Sequence, residues 1–96
     1  MLKIICIPAY NEGKIIGEVV KKSRNYADEI IVCDDGSQDN TAQIAKESGA
    51  QVIIHKKNLG KGGAMRSLFR MALEKNADVV VTIDGDVNSY LRKFQN

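Results

Sequence analysis

The sequence is poor in aromatic residues, and neither sign of charge is in strong excess. Aromatic side chains make up 5% of the 96 residues, and the formal net charge is +2. Proteins that bind single-stranded nucleic acid combine aromatic platforms for the bases with a concentrated positive charge. Here the basic residues are scattered, with adjacent pairs only at positions 21–22, 56–57 and 92–93. Nucleic acid is therefore not an expected partner.

Long apolar runs are also missing, and cysteine is scarce. No run is long enough for the hydrophobic part of a signal peptide or for a membrane span. The two cysteines, Cys6 and Cys33, each lie within a short apolar run that predicts a strand. We expect buried reduced thiols there, with a disulfide as the alternative. Two cysteines at this spacing form no metal signature, and we expect the chain to be cytoplasmic.

What the sequence does contain is typical of one small globular domain. Hydrophobic residues make up 44% and charged residues 27%, so a disordered chain is not expected. No linker, repeat or low-complexity segment divides the chain. We therefore treat residues 1–96 as a single domain.

Short apolar runs and helical periodicity alternate along the chain. The apolar runs predict four strands, at residues 2–7, 29–33, 51–55 and 78–83. Apolar residues at helical spacing predict three helices, at about residues 13–26, 39–49 and 61–75. This alternation predicts an α/β three-layer sandwich: a mostly parallel sheet with right-handed crossovers and helices on both faces. Residues 89–96 stay unassigned, either a helical turn or a frayed end.

The notable polar residues follow the predicted strand ends. They are Tyr10, Asn11 and Glu12, then Asp34 and Asp35, then residues 58–63, and finally Asp84 and Asp86. In open parallel α/β sheets, ligands bind beyond the carboxyl ends of the strands. The pattern therefore predicts a ligand site along one edge of the sheet.

Asp84 and Asp86 are candidate metal ligands. They lie one residue apart, on either side of a glycine, directly after the last predicted strand. Magnesium and manganese prefer oxygen ligands and are often held by one or two carboxylates together with substrate phosphates. Taken alone, Asp-Gly-Asp is more often just an acidic turn. The other polar residues at the same edge favour a site for Mg²⁺ or Mn²⁺.

A nucleoside diphosphate would suit the remaining residues of this edge. Asp35 can accept hydrogen bonds from a base or a ribose, and Lys61 and Arg66 can supply positive charge beside a glycine-rich helix start. Each residue also has a plainer explanation, as a turn former or an exposed side chain. Because all of them fall on one edge, we favour the ligand site.

Four motifs in order resemble the family 2 glycosyltransferases, which have the GT-A fold. The motifs are Pro-Ala-Tyr-Asn-Glu at 8–12, Asp-Asp-Gly-Ser at 34–37, Asn-Leu-Gly-Lys-Gly-Gly-Ala at 58–64 and Asp-Gly-Asp at 84–86. The first of them is most similar to the branch that includes dolichyl-phosphate mannose and glucose synthases. The resemblance extends from about residue 2 to residue 88.

The resemblance implies a role for each residue of a nucleotide-sugar site. The residues that would line the nucleotide pocket are Pro8, Tyr10 and Glu12. Asp35 would hold the base, Asp84 would face the ribose and sugar, and Asp86 would ligate the metal. The implied reaction moves a sugar from a UDP- or GDP-sugar to an acceptor such as polyprenyl phosphate. Any contact with a membrane would then be indirect, through a lipid acceptor at the cytoplasmic face.

The resemblance also implies the nucleotide-binding half of a GT-A (Rossmann-like) fold, with sheet order 3-2-1-4. That order leaves the strand at 79–83 on an edge, so we expect a homodimer through that edge. The chain departs from the family at Val87 and Asn88, where Gly and Gln are usual, and at Leu68, where glycine is common. We identify no catalytic residue: the acceptor half and the general base are expected to be absent.

Two other classes of function remain open. The chain could be a non-catalytic module that binds a nucleotide or a partner subunit. It could also be a nucleotidyltransferase-like enzyme, since those enzymes use parallel sheets and paired aspartates as well. The motifs at 8–12 and 34–37 argue against the nucleotidyltransferase.

Overall fold

Strands and helices alternate along the chain, as the sequence predicts. The computed structural model describes residues 1–83 with side chains and residues 89–93 as backbone. The elements are β1 Lys3–Ala9, α1 Ile16–Ser23, β2 Glu29–Asp34, α2 Thr41–Ser48, β3 Gln51–Ile54, α3 Gly60–Glu74, β4 Val79–Ile83 and β5 Ser89–Lys93.

The strands form one sheet in the order β3-β2-β1-β4-β5. The pairs among β1 to β4 are parallel, which confirms the α/β class and the 3-2-1-4 order. β5 runs antiparallel to β4, with Val79 opposite Lys93 and Ile83 opposite Ser89. The expectation that strand 79–83 is an open edge is therefore wrong, and the homodimer through that edge loses its basis. Backbone N–H and C=O groups can pair beside polar as well as apolar side chains. The polar sequence of β5 therefore gave no indication of a strand.

Helices cover both faces of the sheet, and the strands alternate their side chains between two cores. On one face, α1 and α2 pack on Ile5, Ile7, Ala9, Ile30 and Val32. On the other, α3 packs on Ile4, Cys6, Ile31, Cys33 and Val80. Successive side chains of a strand point to opposite faces, so a strand buried on both faces needs the continuous apolar run seen in the sequence.

Both cysteines are buried free thiols, as expected. Burial raises the pKa of Cys6 and of Cys33 to about 12. For Cys33 the nearby carboxylates of Asp35 and Asp34 contribute to this shift as well, after burial. At neutral pH both side chains are protonated, and they act as small apolar residues in the core beneath α3.

Pro8 lies inside β1 rather than ending it, paired in register with Cys33 of β2. Ala9 accepts a hydrogen bond through its carbonyl from the Asp35 amide, so Ala9 faces β2 and Pro8 faces the β4 side. The pairing of β1 with β4 ends at Cys6. The missing N–H of Pro8 is thus on a side where the ladder has already ended.

The helices differ from their predicted bounds mainly at the ends. α2 stops at Gly49, whose φ of 115° places it in the left-handed region that favours glycine. In α3, apolar spacing predicts that Leu73 faces inward with Ala64, Leu68 and Ala72, but Leu73 is 61% exposed, so this prediction is wrong. None of the helices in the described part of the chain is both long and apolar enough to cross a membrane.

Candidate functional site

An open cleft of about 390 Å³ lies beyond the carboxyl ends of β1 and β2, against the start of α3. Its lining residues are Pro8, Ala9, Tyr10, Glu12, Asp35, Asn58, Gly60, Lys61 and Ala64. The sequence assigns an individual role in the site to five of these, from three separate segments of the chain: Pro8, Tyr10, Glu12, Asp35 and Lys61. The parallel sheet brings them together because it places all its carboxyl ends at one edge.

Three further predicted site residues, Arg66, Asp84 and Asp86, are not among the described residues that line this cleft. Arg66 is exposed on α3 and does not line the cleft. Asp84 and Asp86 lie outside the described residues; the chain reaches them directly from Ile83, the last residue of β4. Among the residues that are described, no group of three or more His, Cys, Asp or Glu side chains could hold a metal ion.

The loop after β1 is held against the loop after β2. The Asn11 amide donates to Ser37 Oγ at 2.8 Å, and the Asn11 side-chain oxygen accepts from the Gln38 amide at 2.8 Å. One residue on, the Glu12 amide donates to Thr41 Oγ1 at 2.9 Å. Asn11 has a φ of 51°, a conformation that asparagine tolerates better than most residues. These bonds fix the backbone that carries the cleft residues on both sides of Asn11.

Two other aspartates of this edge serve the loops. Asp34 Oδ1 accepts from the Ser37 amide at 2.9 Å, which closes a tight turn. Asp39 accepts from the amides of Gly13, at 3.1 Å, and of Thr41, at 3.0 Å, and also from the Thr41 hydroxyl. The hydrogen bond from the Thr41 hydroxyl lowers the pKa of Asp39. Desolvation raises it, but the hydrogen bonds from the amides lower it further, so the pKa lies below its usual value. Asp34 and Asp39 thus have structural roles.

Asp35 is the most constrained carboxylate of the cleft. Its Oδ1 accepts from the Leu59 amide at 2.9 Å and lies 2.8 Å from His55 Nδ1, while its Oδ2 accepts from the Gly60 amide at 2.9 Å. Burial raises the pKa of Asp35, but the hydrogen bonds from His55, Leu59 and Gly60 outweigh it, so the pKa lies below its usual value. At neutral pH a buried carboxylate therefore anchors the start of α3.

His55 is a site residue that sequence reasoning missed. It follows β3 directly, and its Nε2 lies 2.8 Å from Ser67 Oγ of α3 while its Nδ1 contacts Asp35. Cys33 Sγ is 3.6 Å from Nε2. One signal was available: His55 is the sole histidine of the chain, and it follows β3 where that strand runs beside the end of β2.

The sequence predicts a glycine-rich helix start at this edge, and α3 begins there at Gly60. Gly60 has a φ of 85°, a left-handed conformation that favours glycine. Its amide donates both to Asp35 and to the side-chain oxygen of Asn58, each at 2.9 Å. Asn58, Gly60 and Ala64 line the cleft as well. The loop 58–63 therefore meets Asp35 through its backbone.

Comparison with known proteins places this fold and site in context. Residues 4–92 match the family described as glycosyl transferase family 2. A UDP-N-acetylglucosamine–dolichyl-phosphate N-acetylglucosaminyltransferase of Methanococcus voltae is 39% identical over 100 residues, covering 85% of this chain and 40% of that protein. A glucosyl-3-phosphoglycerate synthase of Petrotoga mobilis is 33% identical over 101 residues, covering 94% of this chain and 31% of that protein.

Solved structures of glucosyl-3-phosphoglycerate synthase from Mycobacterium tuberculosis share the fold. The complex with Mg²⁺ and UDP superposes with a TM-score of 0.70 at 33% identity, covering 86% of this chain and 32% of that one. A complex with Mn²⁺, UDP and glucosyl-3-phosphoglycerate gives the same TM-score and identity, covering 86% and 33%. The chain spans less than half the length of each of these proteins.

The sequence comparison and the structure comparison both confirm the expected family. The sequence match covers nearly the whole chain, from the first residues of β1 into β5. The parallel strand order agrees with the Rossmann-like sheet of these neighbours. The chain belongs to glycosyl transferase family 2.

Proposed function

We propose that this chain is the nucleotide-diphospho-sugar binding part of a metal-dependent glycosyltransferase, which moves a sugar from a UDP- or GDP-sugar to an acceptor such as polyprenyl phosphate. One observation carries the proposal: a single cleft at the carboxyl edge of the sheet brings together Pro8, Tyr10, Glu12, Asp35 and Lys61. Such a cleft combines apolar walls, a carboxylate and a cation, which a nucleoside diphosphate requires.

The base would bind at the Asp35 side of the cleft. A carboxylate offers about four acceptor positions, and three of those on Asp35 are used by Leu59, Gly60 and His55. The remaining position can accept one N–H from a base edge. Pro8 is buried and Tyr10 is 45% exposed, so both can cover an apolar ring in the cleft.

The diphosphate would bind at the start of α3. Lys61 lies in the first turn of α3 and lines the cleft. The positive end of the helix dipole favours an anion at the same place. Arg66 does not line the cleft, so we propose that it attracts the diphosphate only through its charge at longer range. Salt screens such an attraction and keeps it weak.

Asp84 and Asp86 would hold a divalent cation, Mg²⁺ or Mn²⁺, with Asp84 also facing the ribose and sugar. The donor set fits a hard cation, because two carboxylates one residue apart follow β4, whose neighbour β1 leads into the cleft. When bound, the cation would neutralise charge that develops on the departing diphosphate. The presence of Mg²⁺ or Mn²⁺ with UDP in the related synthase supports this assignment.

Titration calorimetry tests the proposal directly. UDP or GDP should bind the purified chain in the presence of Mn²⁺, and Asp86→Asn should weaken that binding by at least the ~10- to 100-fold seen for disturbed metal sites. Glu47→Gln, on the exposed side of α2, removes the same unit of charge away from the cleft and should leave the affinity unchanged. If UDP and GDP each bind with the same affinity with and without metal, the proposal of a metal-dependent site is wrong.

A non-catalytic nucleotide- or partner-binding module is the second candidate. The observation that favours it is that Asp34, Asp35 and Asp39 already accept backbone hydrogen bonds that hold the loops. None of these three is suited to act as a general base. We expect the 96-residue chain alone to transfer no sugar to polyprenyl phosphate above background hydrolysis, since a positioned base contributes ~10²- to 10⁴-fold. Clear turnover would exclude this candidate.

A further inference from the structure

We propose that His55 is a positioning residue for the nucleotide site: it holds the Asp35 carboxylate in the orientation that presents its last acceptor position to the base. This inference rests on the proposed nucleotide binding. The basis is a chain of hydrogen bonds through the interior, from Ser67 of α3 to His55 after β3 and on to Asp35 after β2. It joins three elements that are distant in sequence.

The connection is enclosed and short. The His55 side chain is 11% exposed and that of Asp35 is 6% exposed. Nδ1 of His55 lies 2.8 Å from Asp35 Oδ1, and Nε2 lies 2.8 Å from Ser67 Oγ. Both ring nitrogens therefore have a partner at hydrogen-bond distance. In a setting of such low solvent access, a bond to a charged acceptor is stronger than on the surface.

The chemistry of the partners determines which nitrogen carries the proton. Asp35 is ionised at neutral pH, because its pKa lies below the usual value, and an ionised carboxylate only accepts. His55 must therefore donate through Nδ1–H. In the neutral ring Nε2 is then an acceptor, and the Ser67 hydroxyl donates to it. Asp35 thus selects the tautomer, and the Ser67 hydroxyl, which can donate or accept, donates to the nitrogen that is left as an acceptor.

This arrangement leaves one acceptor position of Asp35 unused, and its place follows by counting. Oδ1 takes two donors, from Leu59 and His55, whereas Oδ2 takes one, from Gly60. The unused position is therefore on Oδ2, and Asp35 lines the cleft. Without the donor from His55, Oδ1 would keep only the Leu59 amide as a partner, and the carboxylate could rotate. Its Oδ2 would then be oriented toward the base for a smaller fraction of the time.

Two substitutions separate positioning from packing. The side-chain amide of His55→Asn can place an N–H near the position of Nδ1, whereas the amide of His55→Gln reaches the position of Nε2. We expect His55→Gln to weaken UDP binding by about 10-fold, the cost of one hydrogen bond to a charged group. His55→Asn should retain most of the affinity. Thermal unfolding of both variants is measured alongside, because both lose the ring and should be destabilised to a similar extent.

The results distinguish this inference from the proposed function. If UDP binds the wild-type chain and both variants bind equally well, or lose affinity in proportion to their stability, the positioning role of His55 is overturned while nucleotide binding stands. If the wild-type chain binds no nucleoside diphosphate, the proposed function fails and the inference fails with it.

An independent measurement concerns the ring itself. Nitrogen-15 NMR of the wild-type chain at pH 8.5, with no nucleotide present, should show the proton of His55 on Nδ1. Ser67→Ala should reduce the preference for that tautomer, because it removes the hydroxyl donor to Nε2 and leaves only the weakly donating Cys33 thiol at 3.6 Å. A proton on Nε2 in the wild-type chain would contradict the hydrogen-bond assignment and overturn the inference, whatever the binding data show.

Discussion

Gly36 and Asn58 meet backbone to backbone: a Cβ atom at position 36 would lie 2.7 Å from the Asn58 amide nitrogen. Gly36 also has a φ of 80°, in the left-handed region. The loop after β2 therefore packs directly on the loop after β3, and Asn58 of the second loop lines the cleft. The shape of the cleft thus depends on a position where only a hydrogen atom fits.

Gly36→Ala should destabilise the protein by at least the ~1–2 kcal/mol that a left-handed conformation costs an L-residue, and the backbone contact should add to this. Urea unfolding measures the change in the free energy of unfolding. Gly62→Ala is the matched control, because Gly62 lies within α3 with nothing within 4 Å of its added Cβ. It should be neutral or stabilise the helix by up to ~1 kcal/mol. Equal effects of the two substitutions would contradict the contact.

The hydrogen bonds on Asp35 predict a pH dependence of stability. Its pKa is lower in the folded protein than the ordinary value, so its stabilising contribution is present above the unfolded pKa of about 3.9 and is lost as the pH falls through the folded pKa. Asp35→Asn should therefore be less stable than the wild-type chain at pH 6. The difference in the free energy of unfolding should shrink once the pH drops below about 4.

Denaturant unfolding of both chains between pH 6 and pH 2.5 checks this prediction. Asp39→Asn is a useful comparison, because its pKa is also lowered but its carboxylate is exposed at the surface. Its effect should be smaller and more sensitive to salt. A constant difference between wild type and Asp35→Asn over the whole range would show that the carboxylate charge does not stabilise the fold.

β5 should keep the chain from associating through β4. Removing residues 89–96 would expose the backbone groups of Val79–Ile83, and an apolar unprotected edge pairs readily with other strands. We expect the shortened chain to form dimers or larger species that grow with concentration, as measured by light scattering. Removing only residues 94–96 keeps β5 and should not cause association. A shortened chain that stays monomeric would show that β5 does not protect this edge.

Local patterns in the sequence were sufficient to predict the elements that are buried. The apolar runs of β1, β2 and β4 have few alternatives, because a segment of that length without polar residues must be covered on both faces. The end of α2 at Gly49 could also be predicted from local sequence, since it depends on the conformational freedom of that one glycine. The position of Arg66 was less predictable, because a side chain on a helix can face the cleft or the solvent after a small rotation.

The sequence by itself determined the α/β alternation, the family and the edge of the sheet where a ligand site should lie, because these follow from short-range periodicity and from motifs next to strand ends. Only the tertiary structure decided which residues meet. β5 could not be inferred, since its pairing uses backbone groups that every residue has. The bond between His55 and Asp35 spans separate strands, and no local pattern encodes such a contact, which exists only once the sheet has placed both strand ends side by side.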